Sequence, residues 1–101
     1  MSEKEIQVII DRDLEDLIPG FMENRKADVV KMREALAQQD FESLRSTGHS
    51  LKGVGGGYGF AFISEIGAVI ESAAKINDME TITSSIDKLE NYLVNVRISF
   101  E

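Results

Sequence analysis

Apolar side chains recur at intervals of three and four along most of this chain, the spacing of helices that bury one face. The first such stripe is Ile18, Met22, Val29, Met32 and Leu36, with Glu23, Lys26, Lys31 and Glu34 mostly off it. Pro19 cannot continue an established helix, because it lacks an amide proton and clashes one turn back. It is therefore placed in the first turn of this helix, which runs to about Gln38. Arg25 interrupts the stripe and is expected to lay its stem along the bundle with the guanidinium in water. A second stripe, Phe41, Leu44, Gly48, Leu51, Gly55 and Tyr58, follows the connection Gln38-Gln39-Asp40, with Asp40 suited to cap it. Glycines at 53, 55, 56 and 57 leave the end of this helix open anywhere between Val54 and Gly59. The third stripe, Ile63, Ile66, Ile70 and Ala73, widened by Phe62 and Val69, predicts a helix over Phe60 to Ile76, punctuated by Asn77 and Asp78. The fourth, Met79, Ile82, Ile86, Leu89, Leu93 and Val96, predicts a helix from Met79 to about Ser99.

Ahead of these helices Ile6, Val8 and Ile10 alternate within Glu5 to Asp11, too few residues for periodicity to separate a strand from a helical turn. They are read as a short arm, and DLEDLIPGF from Asp13 as helix-forming. Short connections force neighbouring helices to run opposite ways. The fold class expected is all-α: an antiparallel up-down four-helix bundle with a short N-terminal arm or helix. A chain of 101 residues has room for one core, so a single domain is expected over 1–101, with the arm at 1–11 and the bundle at 12–101.

Composition narrows the partners. With 18 acidic and 11 basic residues the net charge is -7, which opposes non-specific binding to nucleic acid or to an anionic membrane. No cysteine is present, so disulfides and thiolate metal sites are excluded, and one histidine is too few for an ordinary catalytic metal site. No segment approaches the roughly 20 apolar residues that span a bilayer, and a cytoplasmic location is expected.

The one histidine, His49, is set among small and basic neighbours in RSTGHSLKGVGGGYG. At about 100° per residue it falls about 150° from the centre of the second stripe, so its ring must point to solvent from mid-helix. Residues three, four and seven positions away share its face: Arg45, Ser46, Lys52, Gly53 and Gly56. Two cations and a hydroxyl thus surround the ring. Gly53, with no side chain, leaves it open to a bulky reactant at a helix cost of about 1 kcal/mol. An exposed helix histidine is also a common surface residue, and the wheel and composition alone do not choose between the two.

Other chemistries fit poorly. GVGGGYG is not a phosphate loop, because Lys52 precedes the glycines where GxxxxGK[ST] needs a lysine and hydroxyl after them, and GxGxxG does not fit either. Ser46 or Ser50 would approach His49 only as a helix neighbour, with no marked third partner or oxyanion hole for a hydrolase.

His49-Ser50-Leu51-Lys52-Gly53, followed by Gly59, resembles the H-x-[LIM]-K-G signature of histidine phosphotransfer (HPt) domains. DLEDLIPGFMENR resembles their opening segment, and IGAVIESAA, Ile66 to Ala74, resembles the L-x-x-x-L-E-x-A-A pattern of the helix after the histidine. The likeness covers about Asp11 to Leu93. Two departures are visible: Gly55, Gly56 and Gly57 stand where alanine and serine are common, and Ile70 replaces a commoner leucine before Glu71.

The resemblance implies a phosphocarrier in which His49, through Nε2, accepts a phosphoryl group from a receiver-domain phospho-aspartate and passes it to another receiver. Lys52 is the expected stabiliser of phosphoryl charge, Arg45 a further phosphate contact, and Gly53 and Gly56 the residues that leave access. No general base is evident beside the ring. Expected partners are receiver domains of response regulators or hybrid histidine kinases, with no cofactor of the chain's own and the divalent metal on the receiver. The protein is expected to be a monomer without independent turnover. The alternative on the same fold is a helical binding module that regulates a kinase or receiver without being phosphorylated.

Overall fold

A computed structural model of the protein describes residues 6–101, so the first five residues of the expected arm lie outside the described residues. Strand β1, Ile6–Ile10, leads through a 3-10 turn, Arg12–Leu17, into four helices: α1 Ile18–Ala37, α2 Phe41–Tyr58, α3 Ala61–Lys75 and α4 Met79–Asn95. Strand β2, Val96–Phe100, follows α4. Asp11 accepts from the Asp13 amide at 2.9 Å and so starts the 3-10 turn, while Pro19 sits in the first turn of α1, where no amide proton is required.

Two of the corners are built alike. After α1 and α3 the chain takes one left-handed residue, Gln39 (φ 54°) and Asn77 (φ 56°), and the next amide returns to the helix just ended: Asp40 to the Ala35 carbonyl at 2.8 Å, Asp78 to that of Ala73 at 2.9 Å. The same two aspartates then cap the following helix, each accepting one amide at 3.1 Å and one hydroxyl at 2.7 Å, from Ser43 and from Thr81. The glycine run does not stop α2 early. It continues to Tyr58 and ends at Gly59 (φ 89°), with Phe60 N–H on the Gly55 carbonyl at 2.8 Å and Gly59 N–H on that of Gly56 at 3.3 Å.

The predicted stripes meet in one core. Met32, Leu44, Leu51, Ile63, Ile70, Ile82, Ile86 and Leu89 are completely or almost completely buried, each worth about 1.5–3 kcal/mol against exposure. Val69 and Met79, placed on the stripes by spacing, are not buried but partly exposed, at 42% and 38%. Phe21, off the expected stripe of α1, is buried and stacks on Tyr58 and Phe60 with ring centroids 4.5 and 5.0 Å apart. Arg25 does not reach into water. Its side chain is 12% exposed, its Nε donates to Asp28 Oδ2 at 2.8 Å, and its guanidinium lies 4.8 Å from the centre of the Phe21 ring. A planar cation gives up little hydration on an aromatic face, which explains the departure.

The all-α expectation is corrected by a two-stranded parallel sheet, in which Ile6 pairs with Val96 and Ile10 with Phe100. The arm is therefore a strand, and the last helix ends at Asn95 where Ser99 was expected. Val96 is already extended (φ -71°, ψ 135°), and VRISF alternates apolar and polar residues, so Val96, Ile98 and Phe100 turn inward together with Ile6, Val8 and Ile10. Among the described residues no helix is long and apolar enough to cross a membrane.

Candidate functional site

The seam between α2 and α3 is where two backbones touch. A Cβ at Gly48 would stand 2.7 Å from the Glu71 amide nitrogen and 2.9 Å from the Gly67 carbonyl oxygen; one at Gly67 would stand 2.5 Å from the Lys52 nitrogen. Two turns further on, a Cβ at Gly55 would meet the Ser64 nitrogen at 2.5 Å. These contacts run 48 against 71 and 55 against 64, so the two helices pass in opposite directions. Their closeness brings the short Glu71 side chain within reach of the outer surface of α2.

There Glu71 binds two of the expected site residues at once. Its Oε2 lies 3.0 Å from His49 Nδ1 and its Oε1 3.2 Å from Lys52 Nζ. The Glu71 side chain is only 11% exposed, while the His49 side chain is 67% exposed. Lys52 first, and His49 after it, hold the Glu71 carboxyl below the usual carboxylate range, against the opposing effect of burial. Above that range Glu71 is ionised and can only accept. Nδ1 must then carry the proton, and in the neutral ring Nε2 is left with its lone pair.

Gly53 has nothing within 4 Å of where a Cβ would be, and Gly56 only the Ser64 hydroxyl oxygen at 3.9 Å. Beside Lys52, the C-terminal side of His49 is therefore open at positions 53 and 56. Arg45 is engaged elsewhere: its guanidinium pairs with Glu42, one turn toward the start of α2, whereas His49 lies one turn the other way. Of the five residues expected at the site, the structure thus gathers His49 and Lys52 on one carboxylate, leaves Gly53 and Gly56 open beside them, and turns Arg45 to Glu42.

Glu71 is the residue the sequence reading passed over. It stood inside IGAVIESAA with no role assigned, and no carboxylate was placed near the imidazole. A usable signal existed, since Glu71 is a lone acid on the face of α3 that also carries Ser64 and Gly67, at intervals of three and four.

The helical bundle thus presents an exposed imidazole, backed by a carboxylate and flanked by a lysine. The family model described as Hpt domain matches residues 16–98, most of the chain, and the protein belongs to that family. Hpt domains are phosphotransfer elements of two-component phosphorelays, carriers of the phosphoryl group and partners of receiver domains. No curated protein and no solved structure matches the chain.

Proposed function

We propose that this protein is a phosphocarrier in which His49 takes a phosphoryl group from the phospho-aspartate of a receiver domain and passes it to the aspartate of another. The observation that carries this reading is the Glu71 carboxylate 3.0 Å from His49 Nδ1, under a ring that is otherwise open. It leaves Nε2 as the outward nucleophile. In the forward step the Nε2 lone pair forms the N–P bond as the P–O bond to the aspartate breaks, and the bonding pair stays with the aspartate carboxylate. The ring becomes a cation with Nδ1–H still donated to Glu71, which steadies it; no proton need leave. The reverse step regenerates the neutral ring.

Phosphoryl transfer depends on positioning and on balancing charge at the equatorial oxygens. Lys52 is suited to that role, since its ammonium already stands at the site on Glu71 and can turn to the incoming oxygens. Gly53 and Gly56 admit the receiver. Arg45 would contact phosphate only after leaving Glu42. The divalent metal and the aspartate belong to the receiver in this scheme, and the chain works as a cytoplasmic monomer on an antiparallel up-down bundle, without turnover of its own.

The test is incubation with a phosphorylated receiver domain. Wild type should gain an acid-labile, base-stable label and His49→Gln should gain none. Glu71→Gln should slow labelling by about tenfold, the size of a charged hydrogen bond lost. A protein that takes no label from any receiver but still binds one would be a regulatory binding module instead.

A further inference from the structure

Helix α3 meets Lys52 in three places. Glu71 holds the ammonium at 3.2 Å. Gly67 leaves room for the Lys52 amide nitrogen, which a Cβ would approach to 2.5 Å. Ser64, one turn before Gly67, donates its hydroxyl to the Lys52 carbonyl oxygen at 2.8 Å. Residues 64, 67 and 71 lie on one stripe of α3, and all three address the same residue of α2.

The third contact is the unusual one. A carbonyl inside a helix is already served by the amide four residues on, here that of Gly56, and its second lone pair commonly goes to water or stays empty. At Lys52 a side chain from another helix reaches it. The position also matters: Gly53, Gly55, Gly56 and Gly57 follow, each a weaker helix former than alanine, so this turn of α2 is poorly able to hold itself.

We propose that Ser64 is a positioning residue for Lys52, its hydroxyl fixing the turn of α2 from which the lysine reaches the phosphoryl oxygens. The inference rests on the phosphocarrier reading. When Lys52 swings from Glu71 to the incoming group, its side chain moves but its peptide must not. Ser64 holds the Lys52 carbonyl from outside the helix, with Gly67 packed against the Lys52 amide nitrogen, where the glycines following Lys52 do not hold the turn from within.

The experiment is single-turnover transfer from a receiver domain phosphorylated with acetyl phosphate, followed over a range of receiver concentrations. Ser64→Ala should lower the first-order rate constant at saturation about fivefold, the effect of losing one net hydrogen bond. The half-saturating receiver concentration and the final amount of label should not change. A merely structural role would lower the amount of folded, labelled protein and leave the rate constant alone. In a Lys52→Ala background Ser64→Ala should slow transfer no further. An unchanged rate constant, or the same fivefold loss without Lys52, overturns the inference while leaving the phosphocarrier reading intact. Absence of label on wild type overturns that reading, and the inference with it.

Discussion

Gly48 and Gly55 lie on the side of α2 that meets α3, and neither position has room for a methyl group: a Cβ would fall 2.7 Å or less from a backbone nitrogen of the opposite helix. Gly53 and Gly57 lie on the outer side, where a Cβ would meet nothing within 4 Å. The same residue type thus answers two different demands within ten residues. The inner glycines allow a helix contact that carries Glu71 to His49 and Lys52. The outer ones relieve no clash in the folded chain, and each weakens the helix by about 1 kcal/mol relative to alanine. What they leave is open surface, beside the imidazole at Gly53 and about two turns on at Gly57.

Substitutions at these positions should separate the two sides. The largest effect is expected at Gly48→Ala, where backbone atoms of α3 cannot step aside as a flexible side chain would; a loss of about 3 kcal/mol in unfolding free energy is expected, measured by urea denaturation. A loss below about 0.5 kcal/mol would mean that the helices can part there at little cost. At Gly53→Leu the outcome should reverse: a higher melting temperature together with transfer slowed by at least tenfold, read from single-turnover labelling, because the side chain occupies the receiver's approach. Normal transfer would remove the access role. Gly57→Ala should be the mildest, adding about 1 kcal/mol of stability, again read by urea denaturation. If it also slowed transfer, the open surface would extend two turns from His49.

Much of this was legible in the chain. Four helices followed from apolar spacing because each buries a continuous stripe, and the exposure of His49 followed from its angle to Leu44 and Leu51, both of which are fully buried. What escaped depended on distant partners. Glu71 is 22 positions from His49, and nothing local says that Gly48 and Gly67 will let those two side chains meet. The last helix was drawn too long because Val96 continues the spacing of Leu89 and Leu93, while its extended backbone is paired with a strand at the other end of the chain. Phe21, absent from the expected stripe, and Arg25, expected in water, depart together: the buried position of one depends on the rings of Tyr58 at the end of α2 and Phe60 just after it, and the other then lies on its face.

The parallel ladder between β1 and β2 bears on the order in which the molecule assembles. It joins Ile6 to Val96, 90 positions apart, whereas the α2–α3 seam joins Gly55 to Ser64 across a single tight corner. Closing the first loop from an open chain costs about 4 kcal/mol of entropy and the second about 2. The bundle has to fold before that larger cost falls, since the helices themselves carry the two strands together. Val8→Ala and Ile98→Ala are accordingly expected to leave the refolding rate almost unchanged and to speed unfolding, as stopped-flow measurements in urea would record; slowed refolding would place the ladder in the nucleus instead. Its two strands then act as a clasp fastened after the helices have packed, tying the first described residues of the chain to the last.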